Sequence, residues 1–337
     1  MIARRTLLAA ALAAPVAAET PTGAEAQAFK ARNLRFAGAG GIELAGTLLL
    51  PADSATKKVP GVVLIAGSGP TDRDGNNPLL PVKVDLLKEI AEVLAGAGIA
   101  SLRYDKRGIG QSTKAPQTLA AQEQFFGWEN FIGDVQLAHA ELIKHDEVKP
   151  YATALLGHSE GGLFAIATAQ MSIAQPPYAL VLASTPGRPL QDIIREQLER
   201  AAPALVDAAQ RIMLEIRKTG HVPADVPHSL AALFPAYIGP FLKGEFGFEP
   251  AATLAKLKQP CLLLQGGADQ QVVPMGDVQP LIDALSQRTA PGEVQVVPAV
   301  SHNLKAVDGP ADPGLAGPLA PAIATRLTSW LAATLGA

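Results

Sequence analysis

The chain has 337 residues, 48% of them hydrophobic and 18% charged, with a formal net charge of −3. That length suits one sizeable core with an insertion or two small domains, and the balance of charge offers no basic field to attract nucleic acid or anionic lipid. The single cysteine, Cys261, excludes an intramolecular disulfide and a zinc site built on several thiolates; in the apolar run Cys261-Leu262-Leu263-Leu264 it reads as a small buried hydrophobe.

Residues 1–26 read as a secretory signal. Arg4 and Arg5 precede an apolar stretch from Leu7 to Ala18, and small residues follow. The stretch is too short to cross a bilayer core of roughly 30 Å as a helix. The paired arginines resemble a twin-arginine export signal, with a general secretory signal as the alternative. The expectation is an exported protein, periplasmic or secreted, with no membrane span after cleavage and its folded domain over 29–337.

From Asn33 onward short apolar runs alternate with helical patterns. Residues 34–37 and 42–50 predict an antiparallel strand pair joined at the turn Gly38-Ala39-Gly40-Gly41. Residues 61–66 form a continuous β-branched and Leu run, as expected of a strand buried on both faces. Similar runs recur at 99–104, 152–156, 179–183, 261–264 and 294–297. Segments of 3.6-residue periodicity at 84–95, 131–143 and 163–171 fall between them. The alternation predicts an α/β fold with a mostly parallel sheet and helices on both faces. Residues 187–250 break the rhythm. They contain helical patterns at 192–201 and 204–218 but no clear strand, and so predict a helical cap inserted in the domain. The stretch 308–321, rich in Pro, Gly and Ala, reads as a loop.

One motif carries chemistry. Gly157-His158-Ser159-Glu160-Gly161-Gly162 follows a predicted strand and opens a helical pattern. A strand that turns sharply into a helix holds the central serine in strained geometry with its hydroxyl above the sheet, and the flanking glycines relieve the crowding. With this motif in this context the sequence resembles the α/β-hydrolases, over nearly all of the folded domain. It is similar in particular to bacterial acyl-esterase-like members. They carry a loop like Gly67-Ser68-Gly69-Pro70-Thr71-Asp72-Arg73-Asp74-Gly75-Asn76, followed after the next strand by a stretch like Asp105-Lys106-Arg107-Gly108-Ile109-Gly110-Gln111-Ser112.

The resemblance implies a catalytic triad in the chain order Ser, Asp, His. Of the histidines at 139, 145, 158, 221, 228 and 302, only His302 follows the last predicted strand, where this fold carries its base. His158, beside the serine in the motif, is expected to point away from it. The acid is expected at Asp269, just past the strand run at 261–264; the loop Ser184-Thr185-Pro186-Gly187 after the preceding strand, where some relatives carry it, has none. The implied oxyanion hole combines the backbone N–H groups of Glu160 and Ser68. Relatives often begin the second loop with His-Gly, whereas Ala66-Gly67 stands here.

Asp72, Arg73 and Asp74 are expected to pin their loop through mutual ion pairs, with recognition of a polar substrate group as the alternative, and Asp105 and Arg107 to form a structural pair. Phe234, Tyr237, Phe241, Phe246 and Phe248 either line an acyl pocket or form the core of the cap. The expected function is hydrolysis of a small ester without cofactor or metal, its partner being that small-molecule substrate. A peptidase, amidase or thioesterase with the same triad is one rival, and a non-catalytic binding protein of the same fold is another.

Overall fold

The computed structural model describes residues 29–337; the predicted signal at 1–26 lies outside them. Eight strands form one sheet: β1 (Lys30–Ala37), β2 (Glu43–Leu50), β3 (Val59–Ile65), β4 (Ala100–Tyr104), β5 (Val148–His158), β6 (Ala179–Ala183), β7 (Cys261–Gly266) and β8 (Gly292–Val297). Their spatial order is β1-β2-β4-β3-β5-β6-β7-β8. The β1–β2 and β2–β4 pairings are antiparallel and the others parallel. Every residue of β3 is buried, the burial pattern of a strand with helices on both faces. Its side chains alternate between two apolar layers, Val63 and Ile65 entering one and Val62 and Leu64 the other. Cys261 opens β7 fully buried, and burial pushes its thiol up to about 12, so it packs as a hydrophobe.

The connecting helices are α1 (Leu86–Gly96), α2 (Leu119–Phe125), α3 (Trp128–Leu142) and α4 (Glu160–Ala169). After β6 come α5 (Leu190–Ala201), α6 (Val206–Thr219), α7 (Gly239–Phe246) and α8 (Pro250–Leu254), with no strand among them. Then α9 (Gln279–Gln287) precedes β8 and α10 (Pro321–Leu335) closes the chain. α1 buries Leu87, Ile90, Ala91 and Leu94, an amphipathic stripe, whereas α4 is buried from Gly161 through Ala169 because it lies at the centre of the molecule. Among the described residues, no helix is long and apolar enough to cross a membrane.

The chain passes from β3 outward to β4 and then returns across β3 to β5. The reversal opens a crevice at the C-terminal ends of β3 and β5, the place where open α/β sheets receive ligands. The segments following these two strands are the Gly67 loop and the Gly157–Gly162 turn.

Buried charges brace this end of the sheet. Arg107 and Asp134 are both nearly inaccessible and form a two-pronged pair, Nε to Oδ2 at 2.8 Å and Nη2 to Oδ1 at 2.8 Å. Arg107 also donates to the carbonyls of Phe125 (2.7 Å) and Ala39 (3.1 Å), joining the loop after β4 to α2, α3 and the β1–β2 turn. The expected Asp105–Arg107 pair is therefore not formed. Asp105 instead binds Arg73, at 2.7 Å. The two residues lie in one loop, but their side chains leave it toward different anchors.

His139 on α3 is buried, its Nε2 2.8 Å from Thr153 Oγ1, and burial pushes its pKa down to about 4. A base whose folded pKa lies below its unfolded value binds more protons when unfolded. Its contribution to stability is complete above about pH 6.5 and declines as the pH falls toward 4. Between pH 7 and pH 5 we expect urea denaturation to show a loss of about 2 kcal/mol from this residue, and His139→Gln to abolish that part of the decline.

Candidate active site

The turn between β5 and α4 places Ser159 with φ 55° and ψ −125°, a conformation an L-residue rarely adopts. Such backbone strain costs on the order of 1–3 kcal/mol and here is held by close packing. A Cβ added to Gly157 would lie 2.2 Å from the Gly161 carbonyl oxygen, and one added to Gly161 only 2.4 Å from that of Ile65. Both positions must be glycine for α4 to press its first turn against the ends of β3 and β5. The Ser159 N–H donates to the Ala183 carbonyl at 2.8 Å, anchoring the turn to β6 as well. Glu160 is the first residue of α4, so its N–H has no acceptor within the helix and faces outward at the positive end of the helix dipole.

Asp269 follows β7 and His302 follows β8, and the two side chains meet: His302 Nδ1 donates to Asp269 Oδ2 at 2.8 Å. Asp269 Oδ1 accepts from the N–H groups of Gln271 (2.8 Å) and Val272 (2.9 Å), and Oδ2 accepts a further bond from Gln265 Nε2 (2.9 Å). Burial by itself would raise the Asp269 carboxyl; the His302 contact and the two backbone donors outweigh it and leave it below the ordinary carboxylate range. It is thus ionised at neutral pH, which fixes the His302 proton on Nδ1 and leaves Nε2 free to accept another.

The two loops are pressed together. The Ala268 N–H donates to Val300 O at 2.9 Å, and a Cβ on Gly266 would sit 2.3 Å from Ser301 O. Within the base loop, the Ser301 N–H donates to Lys305 O at 2.8 Å and the Ser301 hydroxyl to Gly314 O at 2.9 Å. The loop-forming stretch 308–321 thus supports the histidine from outside.

A cavity of about 130 Å³ brings Ser159 and His302 together with Gly67 and Ser68 of the loop after β3, and Leu80, Leu86 and Leu87 add an apolar wall. Gly67 lies under the turn, where a Cβ would be 3.2 Å from Ser159 Cβ. The fold therefore brings four of the five expected residues to one place, Ser159, His302, Ser68 and, behind the histidine, Asp269; Glu160 adjoins them through the backbone.

The loop carrying Ser68 is pinned by charges, though not by mutual ones. Arg73 reaches Asp105, and Asp74 accepts from Arg103 Nε at 2.8 Å, both anchors lying in or just after β4. Asp72 Oδ1 accepts from the N–H groups of Asp74 and Asn76, each at 2.9 Å, and closes the turn. The aromatic residues of 187–250 contribute nothing to the cavity wall. Phe234, Phe241 and Phe246 are buried, and Phe241 packs edge-on against Trp128 of α3 at 5.5 Å. Phe248 lies 5.6 Å from the same ring and Tyr237 4.9 Å from Phe126. Their role is to seat the insertion on α2, α3 and α4.

His158 takes a part that the motif did not suggest. Its ring lies 4.9 Å from that of His302, its Nε2–H donates to the His302 carbonyl at 2.9 Å, and it lines the cavity. Burial first, and then the neighbouring His302, lower its pKa to about 3, so it stays neutral and acts as a prop for the base loop. Residue spacing within the motif gave no sign of this, because the contact spans 144 residues. Gln265, the other support of the acid, was likewise unreadable inside a strand of apolar residues.

The fold is that of the α/β-hydrolases. Residues 83–233 match the Hydrolase_4 family, described as serine aminopeptidase, S33, a match that includes Ser159 but ends before Asp269 and His302. The chain is 28% identical over 257 residues to Esterase EstD of Thermotoga maritima, covering 75% of this chain and 55% of that one, so it spans about half the length of this curated relative. Among solved structures it is similar to the α/β-hydrolase GrgF from Penicillium sp. sh18, with TM-score 0.58, 16% identity, and 91% of this chain and all of that one covered. It is also similar to Est1E from Butyrivibrio proteoclasticus, solved with ferulic acid, with TM-score 0.57, 18% identity, and 90% and 99% covered. At such identities these structures speak for the fold. The chain thus has the α/β-hydrolase fold and is similar over part of its length to serine hydrolases.

Because Gly266 meets the backbone of the base loop, Gly266→Ala has no flexible neighbour to displace. We expect it to destabilise the protein by about 1–3 kcal/mol in urea denaturation and to shift or abolish the low-field proton resonance of the His302–Asp269 hydrogen bond.

Proposed function

We infer that the protein hydrolyses small carboxylic esters through an acyl-enzyme on Ser159. The observation that carries this reading is the shared cavity, which presents Ser159 beside a histidine whose Nδ1 is already committed to an ionised carboxylate. In this reading Ser159 Oγ attacks the ester carbonyl while His302 Nε2 takes its proton, and Asp269 stabilises the imidazolium that forms. The developing oxyanion is received by the N–H groups of Ser68 and Glu160, each such donor being worth about 3 kcal/mol in the transition state. His302 then protonates the leaving alcohol. In the second half it activates water, which hydrolyses the acyl-enzyme and returns the proton to Ser159.

Two features favour an ester over an aminopeptidase substrate, the activity named in the family description. The residues lining the cavity include no carboxylate to pair with a free α-ammonium group. The relative over three quarters of this chain is called an esterase. The cavity, at about 130 Å³, is well below the roughly 300–1,000 Å³ of drug-sized sites, which points to a short acyl chain. Export to the periplasm or beyond belongs to the same proposal and rests on the pattern of residues 1–26.

Hydrolysis of p-nitrophenyl acetate, butyrate and octanoate by the wild type and Ser159→Ala tests the proposal. We expect the short esters to be turned over best, alanine p-nitroanilide poorly, and the variant to fall to background, a loss on the order of a millionfold where a comparable nucleophile was removed. Equal rates in the two proteins would refute it.

A further inference from the structure

Lys106 is a buried cation that the reaction above leaves unused. It lies just past β4, 4% exposed, and its ammonium donates a hydrogen bond to the carbonyl oxygen of Gly67. That carbonyl belongs to the same peptide unit as the Ser68 N–H. The unit is planar and trans, so its C=O and N–H point in opposite directions. A bond that fixes the oxygen therefore also fixes the direction of the N–H. The same ammonium lies 4.0 Å from Oε2 of Glu160, whose own N–H is the second oxyanion donor.

We propose that Lys106 is the positioning residue of the oxyanion hole, clamping the Gly67–Ser68 peptide so that its N–H faces the reacting carbonyl; this rests on the acyl-enzyme reading. The clamp acts in two ways. It holds a glycine-flanked peptide, Gly67-Ser68-Gly69, that would otherwise rotate readily. A charge-assisted bond to the carbonyl also polarises the peptide and strengthens the N–H as a donor. In place of the His-Gly with which similar loops often begin, this chain has Ala66-Gly67, and the support reaches the peptide from the neighbouring strand end instead.

The charges around Lys106 keep it in place. Glu160 of α4 and Glu245 of α7 face it, and all three side chains are buried or nearly so. Burial pulls the Lys106 ammonium below its ordinary value, and the two carboxyls oppose that. Burial and then the Glu160 charge drive Glu245 well above its ordinary value, and burial raises Glu160 as well, with the Lys106 ammonium opposing both. The insertion between β6 and β7 thus reaches the hole through α7, electrostatically and from behind.

The test compares Lys106→Met, which keeps the stem and removes the donor, with wild type on p-nitrophenyl acetate, with Ser159→Ala run alongside. For a folded Lys106→Met we expect kcat to fall on the order of 10- to 100-fold with KM within about twofold. Affinity for a trifluoromethyl ketone, which forms a tetrahedral adduct on the serine, should fall by a similar factor, and Lys106→Arg should recover part of each. An unchanged kcat, a rise in KM alone, or a fall in kcat with undiminished inhibitor affinity overturns the proposal. If Lys106→Met does not fold, the pH profile of Glu160→Gln decides. Loss of the carboxylate that favours the ammonium should bring the alkaline decline of kcat to lower pH, and an unmoved decline overturns the clamp. A fully active Ser159→Ala sinks the acyl-enzyme reading and this one with it; background activity in Ser159→Ala beside a fully active Lys106→Met sinks the clamp alone.

Discussion

The site depends on a contact distance. The first turn of α4 runs so close to the ends of β3 and β5 that there is no room for a methyl group at Gly157 or Gly161, whose Cβ atoms would fall 2.2 and 2.4 Å from backbone oxygens. That approach holds Ser159 in a conformation an isolated chain would leave. It buries α4 on every side and brings the Gly67 loop beneath the serine. A strained backbone survives only where its surroundings over-determine it, and here three strands do so: β3 and β5 through the glycines and β6 through the Ala183 carbonyl.

Around that contact the protein places ionisable side chains where most domains place leucine. Arg107–Asp134, Arg73–Asp105 and the group Lys106, Glu160 and Glu245 all lie near the C-terminal ends of the strands. Taking such groups out of water is expensive, and a buried pair seldom adds net stability over an apolar replacement. What these charges supply is direction. Arg107 ties its loop to three other segments by binding their carbonyls or an aspartate, Arg73 and Asp105 fasten a long loop to β4, and Asp269 sets the tautomer of His302. The chemistry needs groups aimed to within fractions of an ångström, and hydrogen-bonded charges aim better than packed methyls.

The insertion between β6 and β7 contributes to this frame without lining the cavity. Its aromatic side chains pack on Trp128, Phe126 and Phe164, and the wall of the cavity is built from the loops after β3, β5, β7 and β8 and the first turn of α1. Glu245 is its ionisable side chain that faces the Lys106–Glu160 group. A sequence rich in Phe and Pro at this point is equally compatible with a pocket and with a core, since both want apolar rings. The contacts with α2, α3 and α4 decide between them.

Alternation of buried strands with amphipathic helices was legible in the residues, because burial on two faces or one leaves a period in the sequence. So was the serine turn: Gly157 is demanded by the backbone of Gly161 four residues on, although what crowds Gly161 is the carbonyl of Ile65 in another strand. The placement of Asp269 and His302 at strand ends could be read only by resemblance to a fold, since 33 residues separate them. The sequence did not disclose His158 turned toward His302, Gln265 behind the acid, Arg107 passing over Asp105 for Asp134, or Lys106 reaching back 39 residues to Gly67. Local sterics and periodicity are short-range and are written in neighbouring letters. A parallel sheet joins its strands by long crossovers, so the partners of a polar side chain are chosen by which loops finally lie side by side, and only the assembled sheet settles that.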